Sequence, residues 1–153
     1  MKKLRAIILT VITVFGFGVA SLSATSTSAS AAVNNSAKYA TAANLSKRFI
    51  GTRYVWGGTT PGGFDCSGFV QYVFRTFAGV NLPRTSQQQV RAVQRISVRQ
   101  AKAGDLVFWQ SRNGNVYHVG ISLGNGNFIS ALNPRVGLKI NSMYQPSFAG
   151  RVR

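Results

Sequence analysis

The stretch at residues 62–79, "GGFDCSGFVQYVFRTFAG", decides the fold. After a glycine-rich approach, Phe69, Val70, Val73, Phe74 and Phe77 fall at i, i+1, i+4, i+5 and i+8. That spacing lines one wide apolar face of a helix. Asp65 fits the N-cap and Gly79 the stop. Cys66, the only cysteine of the chain, is therefore expected in the first turn of a buried helix. Upstream, residues 36–50 carry Tyr39, Ala43, Leu45 and Phe49 at near-helical spacing, with Gly51 to end the helix. Residues 51–64 hold five glycines and a proline. They read as a loop with one extended piece around Tyr54 to Trp56. Downstream, "LPRTSQQQVRAVQRI" predicts a shorter helix starting near Ser86. After residue 100 the period changes. "GDLVFWQ", "VYHVGISLG", "NFISAL", "GLKINSM" and "FAGRVR" are short strand-like runs parted by Gly, Asn and Pro. Helices first and strands afterwards predict an α+β fold, with N-terminal helices packed on an antiparallel sheet.

The chain opens as a secretory leader. Lys2, Lys3 and Arg5 precede an uncharged, mostly apolar run from Ala6 to Ala20, and Ala29-Ser30-Ala31 fits a small-residue cleavage site. Residues 1–31 are read as a signal peptide and residues 32–153 as one secreted domain. The apolar run is shorter than the ~20 residues of a membrane span. No stable membrane anchor is expected. Beyond residue 31 the chain keeps 15 of its 18 Lys and Arg and both acids, Asp65 and Asp105, a formal charge of +13. Such a surface concentrates on polyanions. It also fits plain solubility. No zinc-finger spacing and no aromatic-basic signature points to specific nucleic-acid binding.

A lone thiol in a secreted chain has three readings: a small buried hydrophobe, an inter-chain partner, or a nucleophile. A glycine-rich, polar setting after a charged residue speaks against simple burial. The helix start favours a thiolate, and its free N–H groups suit an oxyanion. Asp65 opposes the thiolate. A cysteine nucleophile needs an imidazole. The only histidine is His118, in "NVYHVGISLGNG". Whether the two meet depends on the fold. One Cys and one His are too few for a conventional zinc site. No metal and no cofactor is expected.

"RYVWGGTTPGGFDCSGFVQYVF", "LPRTSQQQ", "AGDLVFW" and "HVGISLGNGNFISA" follow one another in an order and spacing that resembles the NlpC/P60 family of cell-wall peptidases. The resemblance runs from about Tyr54 to Ile140. It implies a papain-like α+β fold. It also implies a cysteine-type endopeptidase that hydrolyses peptidoglycan stem peptides between γ-linked D-Glu or D-isoGln and the following diamino acid. It makes Cys66 the nucleophile, His118 the general base, and Tyr54, Asp65 and Ser67 substrate-binding residues. In some family members the last pair binds a free N-terminal amine of the stem peptide. The family usually places a third polar residue, often His, twelve positions after the base. Here that position is Ser130. Asn133 is a second candidate to orient His118. A two-residue turn at Asn125-Gly126 sets His118 opposite Asn133, whereas a five-residue loop from Ser122 to Gly126 sets it opposite Ser130. Gly57 and Gly58 read as backbone-shape residues, Asp105 as an Asx-type turn, and Trp56 and Trp109 as core or cleft wall.

Two other functions fit the residues. The same scaffold can carry amidase or acyl-transfer chemistry. A non-catalytic cationic wall binder is the other, with Ser130 as the sign of a degraded site. Family members usually carry a separate wall-binding module, for which the 122 residues of 32–153 leave no room. Adsorption to anionic wall polymers through the basic surface is expected to serve instead. Raised salt then releases the protein from whole walls by screening, and retention at high salt counts against this role.

Overall fold

Asp65 begins the central helix as its residue type predicts. Its backbone is extended and its carboxylate accepts the N–H of Gly68. The structure, a computed structural model, describes residues 24–142 and 145–153. The basic start and apolar run of the expected leader lie outside these residues. Helix α1 (Ala24–Ser46) begins well upstream of residue 36 and gives way to a 3-10 turn at Lys47–Phe49. Tyr39, Ala42 and Ala43 form its buried face. Helix α2 (Cys66–Val73) runs on through one wide turn, Phe74–Ala78, and stops at Gly79 in the left-handed conformation. Phe69, Val70, Val73 and Phe74 have no exposed surface. Tyr39 packs on Phe74 with ring centroids 5.4 Å apart, which joins α1 to α2.

Three strands escaped the sequence reading, two of them in the glycine-rich loop. β1 (Thr59–Thr60) and β2 (Gly63–Phe64) form a tiny antiparallel hairpin inside the glycine-rich loop, and Tyr54 bridges to Phe64. The segment after Pro83 makes only one helical turn, α3 (Ser86–Gln89), opened by a capping box from Thr85 and Gln88. A 3-10 turn at Val90–Ala92 follows, then β3 (Val93–Ile96), whose partner is the C-terminal strand. That long-range pairing outweighs local helix preference.

β4 (Leu106–Gln110), β5 (Val116–Gly124), β6 (Asn127–Ala131), β7 (Leu138–Ser142) and β8 (Phe148–Val152) complete an antiparallel sheet in the order β3-β8-β4-β5-β6-β7. Strand alternation assigns the two faces. Leu106, Phe108, Val119, Ile121 and Ile129 enter the main core with the helices. Val107, Phe128 and Ala149 form a smaller cluster, with Trp109 and Leu132 packed against it. The expected α+β architecture is the one present.

The β5–β6 hairpin corrects both expected registers. Asn125 and Gly126 form the two-residue turn, with φ of 51° and 73°, and Gly124 pairs with Asn127. A bulge at Leu123 then shifts the ladder, so Ser122 faces Phe128 and Ile121 faces Ile129. Continuing that register sets Gly120 opposite Ser130. A Cβ on Gly120 would lie 3.3 Å from Ser130 Cβ and 2.7 Å from Phe128 Cδ2. His118 and Ser130 are thus diagonal neighbours across a position without a side chain.

Candidate active site

The start of α2, the 54–57 loop, the 84–86 segment and the start of β5 converge on a cavity of about 550 Å³. Tyr54, Trp56, Asp65, Cys66, Ser67, Arg84, Tyr117 and His118 are among the residues that line it. The structure therefore brings Cys66 and His118 to one cavity, together with Tyr54, Asp65 and Ser67. Ser130 is fully buried behind His118 rather than in the cavity wall.

Asp65 holds the cleft together. One carboxylate oxygen accepts the N–H of Gly68 at 2.7 Å, Arg84 Nη1 at 3.0 Å and the Ser67 hydroxyl at 3.3 Å. The other accepts the N–H of Gly57 at 3.0 Å and Arg84 Nη2 in a short ion pair. Arg84 Nη1 also donates to Ser67 Oγ at 3.0 Å. Burial raises the Asp65 pKa, but the Arg84 guanidinium and the N–H groups of Gly68 and Gly57 outweigh it and hold the carboxyl below its usual range. A second set of bonds fixes α3. Ser86 Oγ donates to the Val116 carbonyl at 3.0 Å, and Val116 N–H donates to Gln87 Oε1 at 2.6 Å. Gln89, fully buried, donates to the carbonyls of Ser67 and Pro83. The start of α2 and the start of β5 are therefore tied to the same short helix.

Burial pushes the Cys66 thiol pKa up, and the nearby Asp65 charge adds to that. Three backbone N–H groups, those of Val119, Ser67 and Cys66, favour the thiolate and offset part of the shift. Burial lowers the His118 pKa to about 4. Both shifts favour the neutral thiol and the neutral imidazole over the charged pair. His118 Nε2 lies 3.1 Å from Ser130 Oγ, which leaves Nδ1 as the second ring nitrogen. The imidazole packs on Trp109 at 5.1 Å between ring centroids. Asn133 is occupied elsewhere: its side-chain oxygen accepts the N–H groups of Arg135 and Val136 and closes a turn. Of the two candidate partners, Ser130 is the one in contact with His118. Burial also raises the Tyr54 phenol pKa, as do the nearby Cys66 and Asp65 charges.

Arg84 was not singled out in the sequence, though a signal existed. A buried acid at a helix cap in a chain with 2 acids and 18 Lys and Arg calls for a basic partner. Trp56 is 88% exposed, so it is a cleft edge and not core. Trp109 packs against the smaller cluster. Asp105 does not form an Asx turn. It accepts the Lys102 N–H at 2.8 Å and pairs with Arg151. Among the described residues no group of three or more His, Cys, Asp or Glu gathers to hold a metal ion.

The profile of the NlpC/P60 family matches residues 51–153. Protein P54 of Enterococcus faecium is 50% identical over 104 residues, 67% of this chain and 20% of that protein. The gamma-DL-glutamyl hydrolase of Bacillus subtilis is 42% identical over 87 residues, 56% of this chain and 21% of that protein. The chain thus spans about a fifth of the length of these two curated relatives. Among solved structures, the NlpC/p60 domain of the peptidoglycan hydrolase SagA aligns with a TM-score of 0.68 and 44% identity, covering 76% of this chain and 98% of that one.

The Asp65 network predicts a thermodynamic cycle. Asp65→Ala removes a helix cap and strands a guanidinium, and is expected to cost about 2–4 kcal/mol. Arg84→Ala costs less, because Asp65 keeps its N–H donors. The double variant is expected to fall short of the sum by about 1 kcal/mol or more in urea denaturation. Strict additivity would show that the pair is not coupled.

Proposed function

The chain belongs to the NlpC/P60 family, and from that membership we propose that it is a cysteine-type endopeptidase acting on peptidoglycan stem peptides. The scissile bond in this reading joins γ-linked D-Glu or D-isoGln to the following diamino acid. One observation carries the proposal: Cys66 at a helix start and His118, bonded to Ser130, open onto one cavity. The relatives agree in kind. One is named a gamma-DL-glutamyl hydrolase and a domain of another comes from a peptidoglycan hydrolase.

The proposed chemistry starts from the neutral pair. With Nε2–H donated to Ser130 Oγ, Nδ1 carries the lone pair. As Cys66 Sγ attacks the amide carbonyl, its proton passes to Nδ1 and a C–S bond forms. In this reading the N–H groups of Cys66 and Ser67, at the helix start, receive the developing oxyanion. The imidazolium then returns the proton to the leaving amine as the C–N bond breaks. Water, deprotonated by the same imidazole, releases the acyl group from sulfur. Ser130 keeps the ring from turning, and its buried hydroxyl accepts the charge-assisted bond of the imidazolium. Secretion, with the leader at residues 1–31, and retention on anionic wall polymers belong to the same proposal.

Digestion of purified diaminopimelate-type and lysine-type walls tests the reaction. New N-termini on the diamino acid are expected with the intact protein and not with Cys66→Ala. Equal effects of the two proteins on the wall point to a cationic binder, and amidase or transfer products point to the other chemistry. The pH dependence tests the His118 environment. Below its folded pKa the imidazole holds a proton and cannot take one from the thiol. The acid limb of kcat/KM is therefore expected near pH 4. A limb near the ordinary histidine value of about 6.5 would show that the ring is not desolvated in the working enzyme.

A further inference from the structure

We infer that one face of this protein, formed by the 50–57 loop, the 133–137 turn and β7, adsorbs reversibly to an anionic lipid bilayer. Six large apolar side chains are exposed among the described residues. Five of them, Ile50, Val55, Trp56, Val136 and Ile140, stand on these three segments. The fold presses the segments together. Gly51 N–H donates to the Leu138 carbonyl and Leu138 N–H to that of Thr52, both at 2.9 Å. Gly137 is left-handed, with φ of 69°, and a Cβ there would lie 2.7 Å from the Thr52 oxygen. The Lys47–Phe49 turn, just before Ile50, packs on β7. Ile140 lies on the same side of β7 as Leu138.

Positive charge follows the same segments. Lys47, Arg48, Arg53, Arg135 and Lys139, on these segments or the turn before them, are all exposed. Each aliphatic stands within two residues of a cation: Ile50 near Arg48, Val55 near Arg53, Val136 beside Arg135 and Ile140 beside Lys139. No acidic side chain answers them. Both acids of the chain are buried elsewhere and paired, Asp65 with Arg84 and Asp105 with Arg151. Arg53 and Val55 are held in place. Arg53 Nε donates to the Gly62 carbonyl at 2.8 Å. Val55 covers Gly63, where a Cβ would lie 2.3 Å from the valine Cγ2.

Clustered apolar side chains rimmed by charge mark an interaction surface. A soluble polyanion neutralises the cations but leaves the aliphatics wet. An anionic bilayer satisfies both: lipid phosphates take the guanidinium and ammonium groups, and the aliphatics reach the acyl boundary. Long basic side chains bridge the two depths, because their stems are apolar and their tips charged. Trp56 stands on the loop of this face and also lines the Cys66 cavity. Its indole suits the headgroup level. The bound protein therefore holds its cleft mouth at the bilayer surface. Such binding is peripheral and needs no spanning helix, and none of the described helices is long and apolar enough to be one. Retention on wall polymers needs the cations alone. Adsorption to lipid needs the aliphatics as well, and it stands whichever bond the protein cuts.

Vesicle binding tests this. The secreted form, without the leader, is used, because the leader's apolar run would itself enter lipid. It is mixed with vesicles of phosphatidylcholine alone, with vesicles of equal parts phosphatidylcholine and phosphatidylglycerol, and with soluble polyphosphate. Sedimentation is expected to show binding to the anionic vesicles about tenfold tighter than to the neutral ones, or more. Tryptophan emission is expected to move to shorter wavelength on the anionic vesicles, and the shift to vanish in Trp56→Phe, which keeps Trp109. Ile50→Ser combined with Val136→Ser is expected to weaken vesicle binding about tenfold and to leave polyphosphate binding within about twofold. An unchanged thermal midpoint shows that this variant folds. Should it not fold, quenching of Trp56 by brominated acyl chains in the unaltered protein takes its place. Equal vesicle binding by the variant and the parent, or no quenching, overturns the inference and leaves attraction of charge alone. Binding to polyphosphate but not to vesicles overturns it in favour of a soluble polyanion. Emission that stays fixed on bound vesicles overturns the contact of the cleft mouth with lipid.

Discussion

The buried carboxylate of Asp65 is the constraint on which the rest of the cleft depends. A charge at 8% residue exposure is tolerable only when fully bonded. Meeting that requirement draws three separate pieces of chain to one point: the 54–57 loop through Gly57, the first turn of α2 through Gly68 and Ser67, and the segment after Pro83 through Arg84. Cys66 sits between Asp65 and Ser67 in sequence, so fixing its two neighbours fixes the thiol. The close approach at Gly68, where a Cβ would lie 2.1 Å from the Gly58 carbonyl oxygen, shows how tightly loop and helix are pressed together. Alanine there would favour an isolated helix by about 1 kcal/mol, and the contact reverses that preference.

The same carboxylate works against the thiolate. Burial and the Asp65 charge both raise the Cys66 pKa, and only backbone N–H groups oppose them. Desolvation of His118 acts in the same direction, so burial of both groups disfavours a thiolate–imidazolium pair at rest. In the proposed reaction, charge separation falls to the reacting complex, and the helix-start N–H groups and the Ser130 hydroxyl are the groups proposed to receive it. This division suits a site whose nearest carboxylate is neutralised by an arginine. Both acids of the chain are spent in this way, Asp65 on Arg84 and Asp105 on Arg151. No acid is left to temper the basic surface, which is the physical content of a net charge of +16.

The sheet supplies the second half of the site through one irregularity. The bulge at Leu123 moves β6 by one residue against β5, and the bare Gly120 lets Ser130 reach diagonally to His118. A strict two-residue hairpin would have offered Asn133, which instead closes its own turn.

Read without a structure, the chain already shows the central helix, its cap, its stop, and the five strands after residue 100, because periods of 3.6 and 2 and capping chemistry are local. It also shows one thiol and one imidazole and a motif series that joins them. β1 and β2, at two residues each, are too short to carry a period, and β3 exists only because the C-terminal strand lies beside it. Arg84 lies 19 residues from Asp65 and 17 from Ser67, and its role appears only when the fold closes that distance. The same holds for the choice of Ser130 over Asn133. Composition and local periodicity determined which elements form and which groups are available for chemistry. Tertiary structure decided which of those groups meet, because ion pairing, desolvation and strand register act between residues that are distant along the chain.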